Sequence, residues 1–418
     1  MPLLAATLSG SSRADPHESD RVRSLTVGLD LQEARRELVS ADMEDPAVAL
    51  EQARLALYEL DCDGAAATLG RPELQRASSG DVLGDVARGC QRVTAALAVD
   101  KDERRGIEVR WQDEHDRPLA PLLFETVERA RDALTRDLRV DWPRPTRIVV
   151  VRDLLSLSAM TGLPYKSAQT TGTVAVAKWG RVTLLSPRAS PHGYPWRDTI
   201  AHELTHLAVT RASRDQAPLW LQEGIAKREE VRWRDPGPFD DRPSPEAIVQ
   251  RGIELKIALP LDKLGPSIAM LPTADQATVA FAEVTSFVQF YASTQGEGAL
   301  PQLLAELRSG KTPNEALVAA SGADLSAWDV KWRIYLASRP KDTLPPLFGL
   351  GREHDAPKEL RELRDRSRLA ELLLSRGHPE ESLSELDASP TRSVNGGATP
   401  PSERASEASA DPRLRWLR

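Results

Sequence analysis

The sequence predicts an α+β protein in which a small sheet and a long helix occupy the middle of the chain and helical segments lie on both sides. Apolar residues recur at three- and four-residue intervals before residue 100 and again after residue 274, which is typical of amphipathic helices. Between these regions, "TRIVVVRD" and "GTVAVAKWGRVTLLSP" are β-branched runs of the kind found in strands. Strands that lead into a long helix favour the α+β class over an all-helical one.

Composition and charge indicate a folded chain of two or three domains. The 418 residues are too many for one ordinary core, and 40% of them are hydrophobic against 28% that are charged. The net charge of −7 leaves no basic footprint for nucleic acid. No run approaches the roughly 18 apolar residues of a membrane-spanning helix. We therefore expect neither a nucleic-acid partner nor a membrane-spanning segment.

The N-terminal part is predicted to be helical. Residues 1–21 include the short apolar stretch "MPLLAATL" with no basic region before it, so we expect a disordered tail or a clipped signal. From 22 to about 100, stripes such as "DPAVALEQARLALYEL" indicate paired short helices. Such pairs are similar to tetratricopeptide repeats, and an irregular helical bundle is the alternative. Cys62 and Cys90 either pair, if the protein is exported, or are two buried thiols.

The pattern changes near residue 106. The runs "GIEVRW" and "TRIVVV" are strand-like, and the helix predicted between them carries Leu123, Val127 and Leu134 on one face. A further pair of strands is expected in "GTVAVAKWGRVTLLSP", with Trp179 and Gly180 at its turn. These elements directly precede the most informative segment of the chain.

Beyond residue 274 helices are predicted again, followed by a linker. The run "RLAELLLSRGHPEESLSEL" indicates a helical hairpin, and the Ser-, Pro- and Ala-rich end favours disorder. The predicted order is a tail or clipped signal, a helical domain, a central mixed domain, a linker, a helical hairpin and a mostly disordered end, at residues 1–21, 22–105, 106–340, 341–358, 359–388 and 389–418.

The segment "AHELTHLAVTRASRDQAPLWLQEGIA" contains the pattern H-E-x-x-H at His202, Glu203 and His206. Residues four apart on a helix lie about 40° apart on one face, so the two imidazoles can share one zinc ion. Glu203 lies further round the helix, where it can act as a general base towards a metal-bound water. The spacing therefore predicts a catalytic metal site.

A third ligand is predicted at Glu223, because a catalytic zinc takes three protein ligands and leaves one position for water. If the first helix ends near Ser213, His206 lies about 10 Å from its end. Pro218 suits the first position of a returning helix, and Glu223 lies about 7–8 Å along it. An antiparallel return then brings the carboxylate level with the histidines. Gly224 is expected to let the two helices approach closely at the metal.

Together with "PLWLQEGIA", this motif resembles the gluzincin metallopeptidases, in particular the peptidase MA-like domains of bacteria, from about 106 to 340. The resemblance implies a zincin-like domain made of a small sheet, the H-E-x-x-H helix and a helical C-terminal lobe. It implies one Zn2+ per chain, held by His202, His206 and Glu223. Glu203 would be the residue that activates water.

The resemblance also implies a class of substrate. Peptidases of this kind hydrolyse bonds in peptides or proteins, and the strand ahead of the zinc helix, at 182–186, is expected to pair with an extended peptide. The glycine-rich motif with which gluzincin aminopeptidases hold a free amino terminus is missing from the sequence, which favours endopeptidase activity. Family analogy favours an envelope or secreted location.

Two positions depart from the family pattern. Phe281 stands where members often carry a tyrosine, and Lys227 stands where thermolysin-like members carry an aspartate that orients a histidine. We expect Asp198, near the helix start, to have a dipole or capping role rather than to orient a ligand, and Glu229 and Glu230 to be exposed helix charges. Core packing or a surface position is expected, rather than an oxyanion role, for Tyr194, Tyr291, Tyr335 and His192. The tryptophans expected to anchor the core are Trp220, Trp328 and Trp332.

Two functional hypotheses follow from these observations. The first is a zinc-dependent peptidase whose helical flanks recruit or orient protein substrates. The second is a catalytically inactive metallopeptidase-like scaffold that binds a protein partner through its helical segments. The second is motivated by Phe281 and by the flanking helices.

Overall fold

The computed structural model describes residues 16–75, 78–142, 144–190, 193–237, 240, 243–264, 267–340, 369–370, 373–374 and 379–387. The chain divides into two compact units, one of residues 1–186 and 195–343 and one of residues 187–194 and 344–418. The described part of the first unit is mostly helical with one small mixed sheet, which is compatible with the predicted α+β class.

Helices account for most of the described residues. In the first unit they are α1 (Pro16–Val27), α2 (Leu31–Ser40), α3 (Pro46–Tyr58), α4 (Cys62–Leu69), α5 (Pro72–Gln75), α6 (Ser78–Thr94), α7 (Ala120–Leu138), α8 (Leu154–Thr161), α9 (Tyr165–Thr171), α10 (Trp196–Ser213), α11 (Leu219–Glu229), α12 (Pro245–Glu254), α13 (Ala274–Gln295), α14 (Ala299–Arg308), α15 (Pro313–Ser321) and α16 (Leu325–Ser338). None of the helices described is long and apolar enough to cross a membrane.

The second unit contains α17 (Pro379–Asp387). The Ser382 hydroxyl of this helix donates to the carbonyl of Ala370, which precedes the helix. The linker predicted at 341–358, the first half of the hairpin predicted at 359–388 and the end of the chain lie mainly or wholly outside the described residues. The division into domains and the helical-hairpin flanks therefore remain predictions.

The sheet has five strands in the order β1-β2-β3-β5-β4, where β2, β3 and β5 are parallel and the two outer strands pair antiparallel. The strands are β1 (Ala98–Asp102), β2 (Ile107–Trp111), β3 (Thr146–Val151), β4 (Ala175–Lys178) and β5 (Arg181–Leu185). Every residue of β5 is buried, because α8 and α10 both pack against it. Strands buried on both faces have continuous apolar runs, which explains "TRIVVV" and "RVTLL".

Two predictions about the strands are wrong. The strand expected at 182–186 to pair with a peptide lies between β3 and β4, so neighbouring strands already occupy both of its sides. The strand at that edge of the sheet is β4. The helical stretch predicted to reach about residue 100 ends at Thr94, and Ala98–Asp102 forms β1 instead, because β2 offers it an antiparallel partner.

The predicted turn at Trp179 and Gly180 is confirmed. Both residues have positive φ, 55° and 67°, as a two-residue hairpin turn requires. Trp179 is 9% exposed, and its ring meets that of Tyr58 edge-on, with 6.0 Å between centroids. The next residue, Arg181, is fully buried and donates from Nη1 to the Leu57 carbonyl at 2.6 Å. Burial lowers the pKa of Arg181 to about 9.

The N-terminal helices carry both cysteines. Cys62 at the start of α4 and Cys90 in α6 form a disulfide. Of the two alternatives that the sequence leaves open, the structure has the paired one.

The helical lobe after the sheet packs around α13. Trp220 and Trp332 meet Phe287 edge-on, with ring centroids 5.3 Å and 5.7 Å away, and Trp328 is fully buried. These three tryptophans anchor the core, as predicted. Gly224 faces α13 rather than α10, because a Cβ there would lie 2.3 Å from Val288 Cγ2. Gly224 therefore allows α11 to approach α13 closely, and not α10 as predicted.

Gly224→Ala is predicted to destabilise this packing. The added Cβ would also lie 2.6 Å from the Val284 carbonyl, which cannot move away without shifting α13. We expect the free energy of unfolding, measured with urea, to fall by about 1–3 kcal/mol. The matched control is Gly84→Ala in α6, where the new Cβ meets only the movable Arg88 side chain and alanine favours the helix. Equal stabilities of the two variants would contradict this account of Gly224.

Glu283 is predicted to make stability depend on pH. Burial raises the pKa of this carboxyl to about 7, and its Oε2 accepts from the Leu259 N–H at 3.2 Å. Because the folded pKa exceeds the unfolded value, stability is lost as pH rises from about 5 through 7. Glu283→Gln keeps the acceptor, so it should stabilise the protein at pH 8 by on the order of 1–3 kcal/mol and leave it unchanged at pH 4.5. Urea unfolding at both pH values tests this, and an equal effect at both would contradict it.

Candidate metal centre

Helix α10 presents two imidazoles to one point. His202 and His206 lie one turn apart, and their Nε2 atoms are 3.2 Å from each other. The other sides of this helix are covered by apolar contacts, since Ile200, Leu204 and Val209 are fully buried. The histidine side chains are 12% and 16% exposed, so they lie in a recess rather than on an open surface.

Helix α11 returns a carboxylate to the same point. The first helix ends at Ser213, as predicted, and Arg214 and Asp215 turn the chain with positive φ values of 53° and 60°. The second helix begins at Leu219, one residue later than predicted, with Pro218 at its N-cap. Glu223 Oε2 lies 3.6 Å from His202 Nε2 and 3.5 Å from His206 Nε2. The three predicted ligands are thus brought together.

The spacing of these three atoms fits a tetrahedral metal. Their ligand atoms all lie within 4.8 Å of one another, and the three separations given above range from 3.2 to 3.6 Å. Ligands bound to zinc at about 2.0–2.2 Å in a tetrahedron are about 3.3–3.6 Å apart. Two imidazoles and one carboxylate are also a donor set that catalytic zinc uses. The residues present therefore fit the ion that the motif implies.

The charges around the centre favour a cation. Burial opposes the charge on His202, but hydrogen bonds with Glu223 and Glu230 raise its pKa to about 9. Burial likewise opposes the charge on Glu223, but the two histidines hold the pKa of this carboxyl well below its usual range. The carboxylates that stabilise a protonated imidazole here also attract a divalent metal ion.

Glu203 lies beside the ligands and is anchored by the sheet. Its Oε2 accepts a hydrogen bond of 2.5 Å from the Ala177 N–H of β4. Burial raises the pKa of this carboxyl. The predicted base is thus 7% exposed, held at the edge strand rather than free in solvent.

The orientation of Ala177 follows from the strand pairing. The Leu185 N–H donates to the Val174 carbonyl, so Val174 and Leu185 form a hydrogen-bonded pair. Such pairs alternate along antiparallel strands, which turns the backbone groups of Ala175 and Ala177 towards the outer edge of β4. The edge strand therefore presents backbone donors and acceptors next to the metal centre.

Glu230 is a site residue that the sequence analysis assigned wrongly to the exposed surface. Its Oε2 lies 3.2 Å from His202 Nδ1, and the Lys227 ammonium donates to both of its oxygens at 2.7 and 2.9 Å. A carboxylate on the second ring nitrogen fixes the tautomer that leaves Nε2 available to a metal. The signal was present in the spacing, because Glu230 follows Glu223 by seven residues and thus lies on the same helix face.

Two further acidic residues lie near the centre: Glu229, whose burial differs from expectation, and Asp198, whose position agrees with it. Glu229 is 2% exposed rather than a surface charge, and it pairs with Arg228 and Arg232. Asp198 lies in the first turn of α10, as expected, and accepts from Arg234 at 2.8 Å. It therefore holds the loop after α11 and does not orient a histidine.

Phe281 lies at the centre, although it has no hydroxyl. Its ring centroid is 6.5 Å from that of His202, and Lys227 Nζ lies 5.8 Å from it. Tyr291 is buried against Trp328, as expected for core packing. Tyr335 stacks on Phe290. His192 lies outside the described residues, and Tyr194 belongs to the second unit.

A half-buried pair of histidines with a glutamate, beside a second glutamate held by an edge strand, is an arrangement that metal-dependent hydrolases use. Comparison with known proteins agrees with this class: residues 158–338 match a family model described as the Peptidase MA superfamily. The match contains every residue of the centre and confirms the resemblance to peptidase MA-like domains for residues 158–338 of the predicted range 106–340. This part of the chain is therefore similar to the domains of that superfamily. No curated protein and no solved structure matches the chain.

Glu230→Gln is predicted to weaken metal binding. The amide cannot supply the negative charge that holds the His202 ring, so we expect zinc affinity to fall about 10- to 100-fold. Competition with a chromophoric chelator measures this. Glu125→Gln, at an exposed pair with Arg129, is the control and should bind zinc as the unmodified chain does. An affinity unchanged in Glu230→Gln would show that this carboxylate has no positioning role.

Proposed function

We propose that the chain is a gluzincin-type zinc peptidase that hydrolyses bonds in peptide or protein substrates, in the manner of an endopeptidase. The observation that carries the proposal is the convergence of His202, His206 and Glu223 on one point, with Glu203 beside it. The match to the Peptidase MA superfamily supports the same chemistry.

The residues divide the work between holding the ion and moving a proton. His202, His206 and Glu223 would hold the zinc, which when bound acts as a Lewis acid towards the scissile carbonyl and the attacking water. Glu203 takes the proton from that water and passes it to the leaving amine. The hydrogen bond from Ala177 keeps the Glu203 carboxylate in place while it does so.

The substrate would lie along the outer edge of β4. Ala175 turns its N–H and carbonyl to that edge and Ala177 turns its carbonyl there, while the Ala177 N–H holds Glu203, so an extended peptide can add to the edge as a further strand. This replaces the interior strand β5 as the expected binding strand.

Glu203→Gln is predicted to separate metal binding from catalysis. The amide cannot accept a proton, but the three ligands are untouched, so about one zinc per chain should remain while the rate of hydrolysis falls at least 100-fold. Metal analysis and cleavage of a peptide library, with and without chelator, measure the two properties. A Glu203→Gln protein that cleaves as fast as the unmodified chain would rule out the proposal.

The alternative is a scaffold that holds a metal but does not turn over. Phe281 motivates it, because a side chain without a donor lies 6.5 Å from the His202 ring where family members often place a hydroxyl. The scaffold predicts zinc binding without chelator-sensitive cleavage of any peptide. Chelator-sensitive cleavage that disappears in Glu203→Gln would eliminate it.

A further inference from the structure

Strand β4 and helix α13 both lie beside the metal centre, and the space between them is called the cleft here. Ala177 of β4 donates to Glu203, and Phe281 of α13 lies beside the His202 ring. A substrate on the edge of β4 therefore runs between this strand and the early turns of α13.

One end of this cleft is bridged. Helix α9 leads directly into β4, and the Thr173 N–H still donates to the Ala168 carbonyl in that helix. A short 3-10 turn, Ile268–Met270, precedes α13. Helix α9 packs against both this turn and α13. Ala168 and Ile268 are fully buried, so the junction is a packed contact and not a loose approach of two loops.

The junction lies only a few residues along β4 and α13 from the residues beside the metal centre. Val174 precedes Ala177 by three positions of the strand, a distance of about 10 Å towards α9. Ala274 precedes Phe281 by seven positions of the helix, which is also about 10 Å towards the same junction. Followed towards α9, both β4 and α13 therefore reach the packed junction about 10–15 Å from the metal centre. This junction forms a wall across the cleft. An extended peptide covers that distance with about three or four residues.

We propose that this junction closes the cleft on one side, so that the endopeptidase cleaves only those internal bonds that have no more than about four substrate residues on that side. The inference rests on the proposed function and specifies its substrates as short peptides and unstructured chain ends. An internal bond far from both ends of a long chain does not reach the centre, because the wall stops the chain on one side.

A ladder of peptides tests the proposal on the full-length zinc-loaded chain. One cleavable core sequence is extended residue by residue with Gly and Ser, either before or after the scissile bond, and products are identified by mass spectrometry. Extension on one side beyond about four residues should lower kcat/KM at least tenfold, while extension on the other side should not. A small folded domain fused to the restricted end should block cleavage, and the same domain on the other end should not.

Binding provides a second readout that does not depend on turnover. The Glu203→Gln protein should bind the same ladder with the same one-sided length limit, measured by fluorescence anisotropy. Ile268→Ala loosens the junction and should extend the accepted length, whereas Ile253→Ala on the surface of α12 should not. If Ile268→Ala does not fold, the ladder on the unmodified chain decides alone.

The outcomes separate the two proposals. Glu203-dependent cleavage in the interior of a long unfolded chain, as fast as in short peptides, would overturn this inference and leave the peptidase intact. The absence of Glu203-dependent cleavage on every substrate would overturn the proposed function and this inference with it.

Discussion

The structure depends on the antiparallel return of α11 against α10, which brings one carboxylate within 3.6 Å of two imidazoles in a recess closed to most solvent. Burying Glu203, Glu223 and Glu230 together is unfavourable unless positive charge accompanies them. Lys227 supplies one such charge, and the histidines provide the nitrogen atoms for a second. The charges of the site therefore suit a cation.

The N-terminal helices hold both α10 and the hairpin that carries β4. Arg211, near the end of α10, donates to the Leu29 carbonyl and to Asp30 in the turn between α1 and α2. Arg181 is anchored to the same group of helices through the Leu57 carbonyl, at the hairpin that carries β4. Thus both the ligand helix and the edge strand beside Glu203 are tied to elements outside the matched family region. We therefore infer that the N-terminal helices support the metal centre by holding α10 and β4 in place.

The sequence predicted those features that local spacing determines. The H-E-x-x-H periodicity sets which side chains share a face of α10, and the loop length sets how far α11 returns, so Glu223 was found from arithmetic along two helices. The turn at Trp179 and Gly180 also follows from local residues, because few dipeptides suit two positive φ values.

Features that depend on tertiary neighbours were missed or wrong. Strand order decides whether β4 or β5 is the edge, and a sequence of two adjacent β-branched runs does not specify it. Glu230 resembled a surface charge because its partner, His202, is 28 residues away along the chain. Gly224 was linked to the wrong helix, since α13 approaches from a segment 60 residues later.

The central claim is that a zinc ion takes two imidazole nitrogens and one carboxylate oxygen from this chain. X-ray absorption at the zinc edge of the purified holoprotein tests it most directly. The account predicts a shell of nitrogen and oxygen atoms at about 2.0–2.1 Å with the outer-shell scattering of two histidines, reduced to one in a His206→Gln protein. A hydrated zinc without imidazole scattering, or a sulfur shell at about 2.3 Å, would contradict it.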